Sequence, residues 1–225
     1  MKVFFVTTGL RDEIEVIKKV KPPALLCSYW YFRNIAIRDL FDQLGYTPEI
    51  LLDSGAYSAF TKGKSVSLID YMAYIKANEN EINQYISLDV IGDPYITKAY
   101  YNIMIGKGFF PIPVYHFGED IETLRFYVER GSQVVALGNT VPIMDKGKVA
   151  LWCDSLKKQF PDVIFHLLGS SSMKIIQSGV VDSCDSSAWY MQAVNGNPKT
   201  IGGKSKEAKI ERAMHNMTEI MREAT

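Results

Sequence analysis

Cysteine is scarce in this chain of 225 residues: Cys27, Cys153 and Cys184 stand far apart and form no Cys-x-x-Cys pair. That argues against a zinc ribbon and against the disulfide framework of small secreted domains. Histidine is equally scarce. His116, His166 and His215 share no ligand spacing, which removes the His-x-His metallohydrolase barrels. Charge of either sign lacks an excess, with 25 Lys+Arg against 25 Asp+Glu. A strongly basic nucleic-acid-coating protein is thereby excluded, although a local patch is averaged away in a net charge. No window approaches the roughly 18 uninterrupted apolar residues of a membrane span. The segment Met1–Thr8 has neither the length nor the cleavage pattern of a signal peptide. A cytoplasmic protein without membrane contact is expected. There is no linker, no low-complexity tract and no short repeat, so residues 1–225 read as one domain. Gly202-Gly203-Lys204-Ser205 lacks the upstream glycine of a phosphate loop and reads more simply as a solvated helix start.

What is present is alternation. Apolar residues make up 47% of the chain, enough for a full core at this length. Short β-branched or apolar runs recur at 3–7, 24–28, 49–53, 84–89, 111–115, 133–137, 163–168 and 180–184. Amphipathic stretches separate most of them, at 12–20, 34–44, 68–78, 95–107, 120–130, 148–160 and 173–177, and a last helix is expected over 206–223. Strands that are nearly all apolar need cover on both faces, the habit of parallel sheets flanked by helices. Eight strand–helix units predict a compact α/β (β/α)8 barrel. A doubly wound open sheet is the competing architecture, but Thr7-Thr8-Gly9-Leu10-Arg11 is not its glycine-rich first turn.

The runs end on polar residues. Leu52 leads into Asp53-Ser54-Gly55, Leu88 into Asp89, Tyr115 into His116, Leu137 into Gly138-Asn139, Leu168 into Gly169-Ser170, and Cys184 into Asp185. In a parallel barrel these strand ends share one face, so three carboxylates, an imidazole and two glycine turns would surround one cavity. Crowded carboxylates repel, and one of them should hold a raised pKa and be able to donate a proton. A carboxylate opposed by a carboxylic acid suits bond breaking at an anomeric carbon. Tyr57 could lie flat on a planar substrate, a contact worth about 1–3 kcal/mol on a nucleobase. Simpler roles compete at each position. A strand-end Asp is often only a helix N-cap, and Asp93 before Pro94 reads as a turn or cap. Asp182 reads as a group orienting its neighbours, His166 as a satisfied barrel-facing histidine, and His215 as surface. Magnesium held by Asp53, Asp89 and Asp185 is a further possibility, because oxygen-only sites leave little trace in sequence; otherwise no metal or cofactor is expected.

Leu52-Asp53-Ser54-Gly55-Ala56-Tyr57 resembles the Asp-Ser-Gly-Gly-Tyr/Phe-Gln segment of the tRNA-guanine transglycosylases. Ser87-Leu88-Asp89 is similar to their second Asp-bearing strand end, Ala136-Leu137-Gly138 to their base-binding loop, and Val181-Asp182-Ser183-Cys184-Asp185 to their Gly-Ile-Asp-x-Phe-Asp stretch. The resemblance spans about residues 3–189 and is nearest to the compact, phage-type branch that inserts deazaguanines into DNA. It implies that Asp185 attacks C1′ and forms a covalent glycosyl intermediate, with Asp53 as general acid/base. Asp89 would bind the base edge, Gly138 would supply an N–H, Tyr57 would stack, and Ser54, His116 and Gly169 would complete the pocket. Ala56, Ser58 and His116 depart from the family pattern, and its Cys/His zinc site is missing, since no Cys follows Cys184. The implied activity is therefore a nucleobase-exchanging glycosyltransferase acting on DNA rather than tRNA, with a free 7-deazaguanine-type base as second substrate, working in a host cytoplasm, with a homodimer as a compatible assembly. A DNA glycosylase and a non-catalytic nucleic-acid-binding subunit are the alternatives. Lys62, Lys64, Lys107, Lys204, Lys206 and Lys209 are the candidate phosphate contacts.

Overall fold

The computed structural model describes residues 1–170 and 172–224. The elements run β1 (Lys2–Thr7), α1 (Arg11–Val20), β2 (Ala24–Ser28), α2 (Tyr29–Phe32), α3 (Ile37–Leu44), β3 (Glu49–Asp53), α4 (Ala56–Phe60), α5 (Leu68–Ala77) and β4 (Gln84–Tyr85). They continue through α6 (Pro94–Gly106), β5 (Val114–His116), α7 (Ile121–Glu129), β6 (Val134–Gly138), α8 (Lys146–Gln159), β7 (Ile164–Leu167), α9 (Met173–Ser178), β8 (Ser183–Ser186), α10 (Ala188–Val194) and α11 (Lys206–Ala224). All seven ladders are parallel, in the order β4-β3-β2-β1-β8-β7-β6-β5. The edges β4 and β5 meet through one bridge, Ile86 to Ile112, with Ile112 N–H donating to Tyr85 O and Ser87 N–H to Ile112 O, each at 2.8 Å. The result is the expected (β/α)8 barrel.

Alternation along the strands divides the core in two. Phe4, Leu26, Leu51, Ile86, Val114 and Ala136 point to the axis and pack on one another. Their neighbours Phe5, Leu25, Cys27, Leu52, Val135 and Leu137 face outward and are covered by the helices. Burying both faces is why these strands read as continuous apolar runs, at about 1.5–3 kcal/mol for each large side chain. Polar residues open the helices. Asp93, Asp120 and Asp145 accept from N–H groups of the first turns of α6, α7 and α8, contacts worth about 1 kcal/mol each. Asp93 is thus the cap its position suggests.

Two differences from the sequence pattern matter for the site. The apolar run at 180–184 suggested a strand, but β8 lies further on, its register set by pairing of Lys2 with Ser183 and of Phe4 with Asp185. Val181 is instead buried ahead of the strand, and the Asp182 carboxylate accepts from Phe165 N–H at 2.8 Å. Asp185 therefore sits within a strand rather than after one. The short helices α2, α4 and α10 were also not anticipated. Each follows a strand within two residues and is too short to display a 3.6-residue period. Among the described residues, no helix is long and apolar enough to cross a membrane.

Candidate active site

The C-terminal strand ends gather most of the predicted polar residues into a cup. Asp53 closes β3, and the ladder sets it opposite Ser28, the last residue of β2. Gly55 N–H donates to Asp53 Oδ2 at 2.9 Å, and the neighbouring Ser54 Oγ donates to Asp89 Oδ1 at 3.2 Å. Asp89 Oδ2 lies 3.3 Å from His116 Nε2, while His116 Nδ1 lies 2.7 Å from Glu119 Oε1. Across the barrel, Asp185 Oδ1 accepts from Gly169 N–H at 3.0 Å and faces His166 Nε2 at 3.2 Å. His166 Nδ1 in turn meets Ser183 Oγ at 2.9 Å. Histidine thus serves twice, each ring held between two oxygen partners.

Electrostatics distinguishes the carboxylates. Burial pushes Asp53 up to about 7, helped by repulsion from Asp89 and Asp185 and opposed by the Gly55 N–H. The carboxylate crowding expected from the sequence thus falls on Asp53, which carries a proton for much of the time near neutrality. His116 moves up as well. Burial alone would lower it, but hydrogen bonds to Asp89 and Glu119 prevail and hold it near 9. A histidine whose pKa is raised on folding adds stability that is complete below its ordinary value of 6.5 and is lost as pH rises through about 9. Melting temperature should accordingly fall between pH 6.5 and pH 9.5, and His116→Gln should flatten that fall. An equally steep decline in the variant would show that another group is responsible.

The remaining predicted residues take varied places. Gly138 stands opposite His116 in the ladder, and a Cβ there would lie 2.7 Å from His116 Cδ2, so only glycine leaves room for the ring. Gly169 contributes the N–H that holds Asp185. Tyr57, on α4, is 55% exposed and makes no ring contact among the described residues. Ser28, Glu119 and His166 were not singled out for this site by sequence reasoning. Ser28 Oγ, Ser87 Oγ and Glu119 Oε2 are buried without a partner at full hydrogen-bond geometry among the described residues, and Ser28 lies close enough to Asp53 to temper the rise of its pKa. The signal for Glu119 was its place three residues after His116; that for Ser28 was its position at the end of the second apolar run. No group of three or more His, Cys, Asp or Glu side chains is arranged to hold a metal ion among the described residues, so magnesium on the three aspartates has no geometric support.

Of the six proposed phosphate contacts, Lys62, Lys206 and Lys209 are engaged with neighbouring side chains and Lys107 lies elsewhere. Lys206 and Lys209 are paired with Asp12, and Lys206 also with Glu15 at 3.3 Å. Lys62 lies over the Trp30 and Tyr31 rings at 5.6 and 5.0 Å. Lys107 borders a surface cavity with Phe109 and Phe110, past the end of α6, away from the aspartates.

No protein-family model and no curated protein matches the chain. Solved structures do. The YdjI aldolase from Escherichia coli K12 is 14% identical with a TM-score of 0.57, over 99% of this chain and 88% of that one. N-acetylneuraminate lyase from Fusobacterium nucleatum is 14% identical with a TM-score of 0.58, over 99% and 82%. The 4-hydroxy-2-oxoglutarate aldolase/2-deydro-3-deoxyphosphogluconate aldolase from TTHB1 is 10% identical with a TM-score of 0.51, over 96% and 92%. The expected kinship with tRNA-guanine transglycosylases is overturned by these likenesses to aldolases and a lyase, and with it go base exchange on DNA, the DNA glycosylase alternative, the nucleic-acid partner and the free deazaguanine. The reason is physical. Each motif behind that kinship is a few residues long and consists of the Asp, Ser and Gly that barrels of many activities carry at their strand ends. At this level of identity, what the chain shares with these structures is the (β/α)8 barrel.

Proposed function

We propose that the chain is an enzyme, a lyase that cleaves a carbon–carbon bond in a small hydroxylated carbonyl compound, with Asp185 as base and Asp53 as acid. The observation that carries the reading is the pairing of a protonatable Asp53 with Asp185 in one cup of strand-end groups. The names of the matched barrels, two aldolases and a lyase, point the same way. Within the strands lysine occurs only at Lys2, at the opposite mouth, so the reaction is assigned to acid–base groups rather than to an imine on lysine.

Asp185 uses Oδ1 to accept from Gly169 and His166, leaving Oδ2 for the substrate. Oδ2 removes the proton of the hydroxyl β to the carbonyl. That oxygen's electron pair forms the new carbonyl as the carbon–carbon bond breaks, and the bond pair passes to the other fragment as an enolate. Asp53 returns a proton to the enolate carbon. Asp185 ends protonated and Asp53 ionised, and exchange with water restores both. Positioned acid–base groups of this kind contribute about 10²–10⁴-fold each.

A coupled assay for released pyruvate or aldehyde, run on a panel of 4-hydroxy-2-oxo acids, tests this. Carbonyl release should occur, should survive prior treatment of the enzyme with substrate and borohydride once both are removed, and should fall about 10²-fold or more in Asp185→Asn. Release that persists undiminished in Asp185→Asn, or no release from any member of the panel, would overturn it.

A further inference from the structure

The opposite mouth of the barrel holds a cavity of about 220 Å³ that the reaction above does not use. At about 30 Å³ per water it is worth some seven waters, space for a molecule of about eight heavy atoms. Its floor is apolar, from Phe4, Leu51 and Ile112, and its rim is charged. Lys2 Nζ spends one donor on Glu49 Oε2 at 2.7 Å and retains two more. Glu49 keeps Oε1 without a partner among the described residues, so an ammonium and a carboxylate can both be received at neighbouring points.

The cavity also touches the machinery of the upper site. His166 and Ser183 both line it. The His166 ring, nearly enclosed, packs edge-on to Phe4 at 5.6 Å. Asp185 Oδ1 accepts from Gly169, so the hydrogen between it and His166 resides on Nε2, and Nδ1 is left to accept from the Ser183 hydroxyl. One unbroken row, Ser183–His166–Asp185, thus runs up the barrel interior from the lower cavity to the upper cup.

We propose that the lower cavity binds a small zwitterion with a short apolar tail, an α-amino acid in chemical class, and that Ser183 and His166 report its occupancy to Asp185. The carboxylate accepts from Lys2 with one oxygen and from the neighbouring Ser183 hydroxyl with the other, the ammonium meets Glu49, and the tail covers Phe4. A ligand that takes up the Ser183 hydroxyl leaves Nδ1 without its donor and alters the bond that orients Asp185. The proposal is independent of the lyase reading, because its test measures no turnover.

The chain has three histidines, so a ring-labelled NMR spectrum is simple to assign by single substitutions. Norvaline is the probe, with pentanoate and pentylamine as its two half-charged analogues. Norvaline should shift the His166 ring signals saturably and leave those of His215 unmoved. Each analogue, and norvaline on Lys2→Met, should bind about tenfold more weakly or worse, the cost of one charge-assisted contact. Ile164→Trp, at a rim position that is 45% exposed and tolerant of a larger side chain, should fill the mouth and abolish the shift. A His166 signal that norvaline does not move, a shift that survives Ile164→Trp, or an analogue that binds as well as norvaline would overturn the proposal.

Discussion

Asp53→Asn should melt higher than the wild type at pH 8, match it near pH 3.5, and lose lyase turnover near neutrality. The carboxyl group ordinarily titrates near 3.8 but near 7 in the fold. Between these values the unfolded chain releases a proton that the folded protein keeps, so native stability declines as pH rises from about 4 to 7. Below that window both states are protonated and the group has no effect. Asparagine keeps an oxygen for the Gly55 N–H yet carries no charge to bury beside Asp89 and Asp185. A gain on the order of 2–4 kcal/mol is expected at pH 8, or roughly 5–10 °C in a domain of this size. Turnover should fall about 10²–10⁴-fold, because an amide cannot supply the proton. Stability gained where activity is lost is the usual mark of a functional group held at a cost to the fold. Equal melting temperatures at pH 8 would refute the electrostatic account, and undiminished turnover would refute the acid role.

Gly55→Ala should be among the most damaging single-methyl changes available to this protein. Gly55 adopts φ +75°, where an L side chain costs about 1–2 kcal/mol. A Cβ there would also sit 2.5 Å from Trp30 Cβ and 2.8 Å from both Trp30 N and Ser28 Oγ. Two of those three atoms belong to a neighbouring backbone or its first side-chain carbon and cannot swing aside. The turn would have to move, and with it the N–H that holds Asp53 and the serine that holds Asp89. A loss of about 3 kcal/mol or more is expected in urea denaturation, together with a downward return of the Asp53 titration as the cup opens to water. Gly45→Ala, at a comparable φ of +71° but with open space around it, supplies the control. It should cost only the backbone strain. If the two variants proved equally stable, the close approach of Trp30 would be irrelevant.

The barrel was legible because its strands are covered on both faces and so print eight apolar runs, and because Asp53 and His116 stand where such runs stop. Asp185 was found for a partly mistaken reason. It appeared to follow a strand, whereas the ladder with β1 places it inside β8 and turns it toward the axis. His166 was legible as a barrel-facing residue but not as a partner of Asp185, since a hydrogen bond across two strands, like that of His166 with Ser183, leaves no sequence periodicity, and Glu119 was not read at all although it stands three residues after His116. The short helices α2 and α4, which carry Trp30 and Tyr57, were below the length at which amphipathic pattern speaks. Kinship was misread for another reason: four strand-end motifs in the right order describe the architecture that displays them, not the reaction performed there.

Among the described residues one bridge, Ile86 to Ile112, is the whole backbone join between β4 and β5. The Asp89–His116 contact spans that same gap from above, so the imidazolium acts as a clasp on a cylinder that is otherwise stitched on only seven of eight sides. Alkaline titration of a single ring should therefore loosen the girth of the molecule along one vertical slit. In hydrogen exchange the amides of Ser87 and Ile112 would lose protection, relative to those in the β2–β3 ladder, once the clasp lets go.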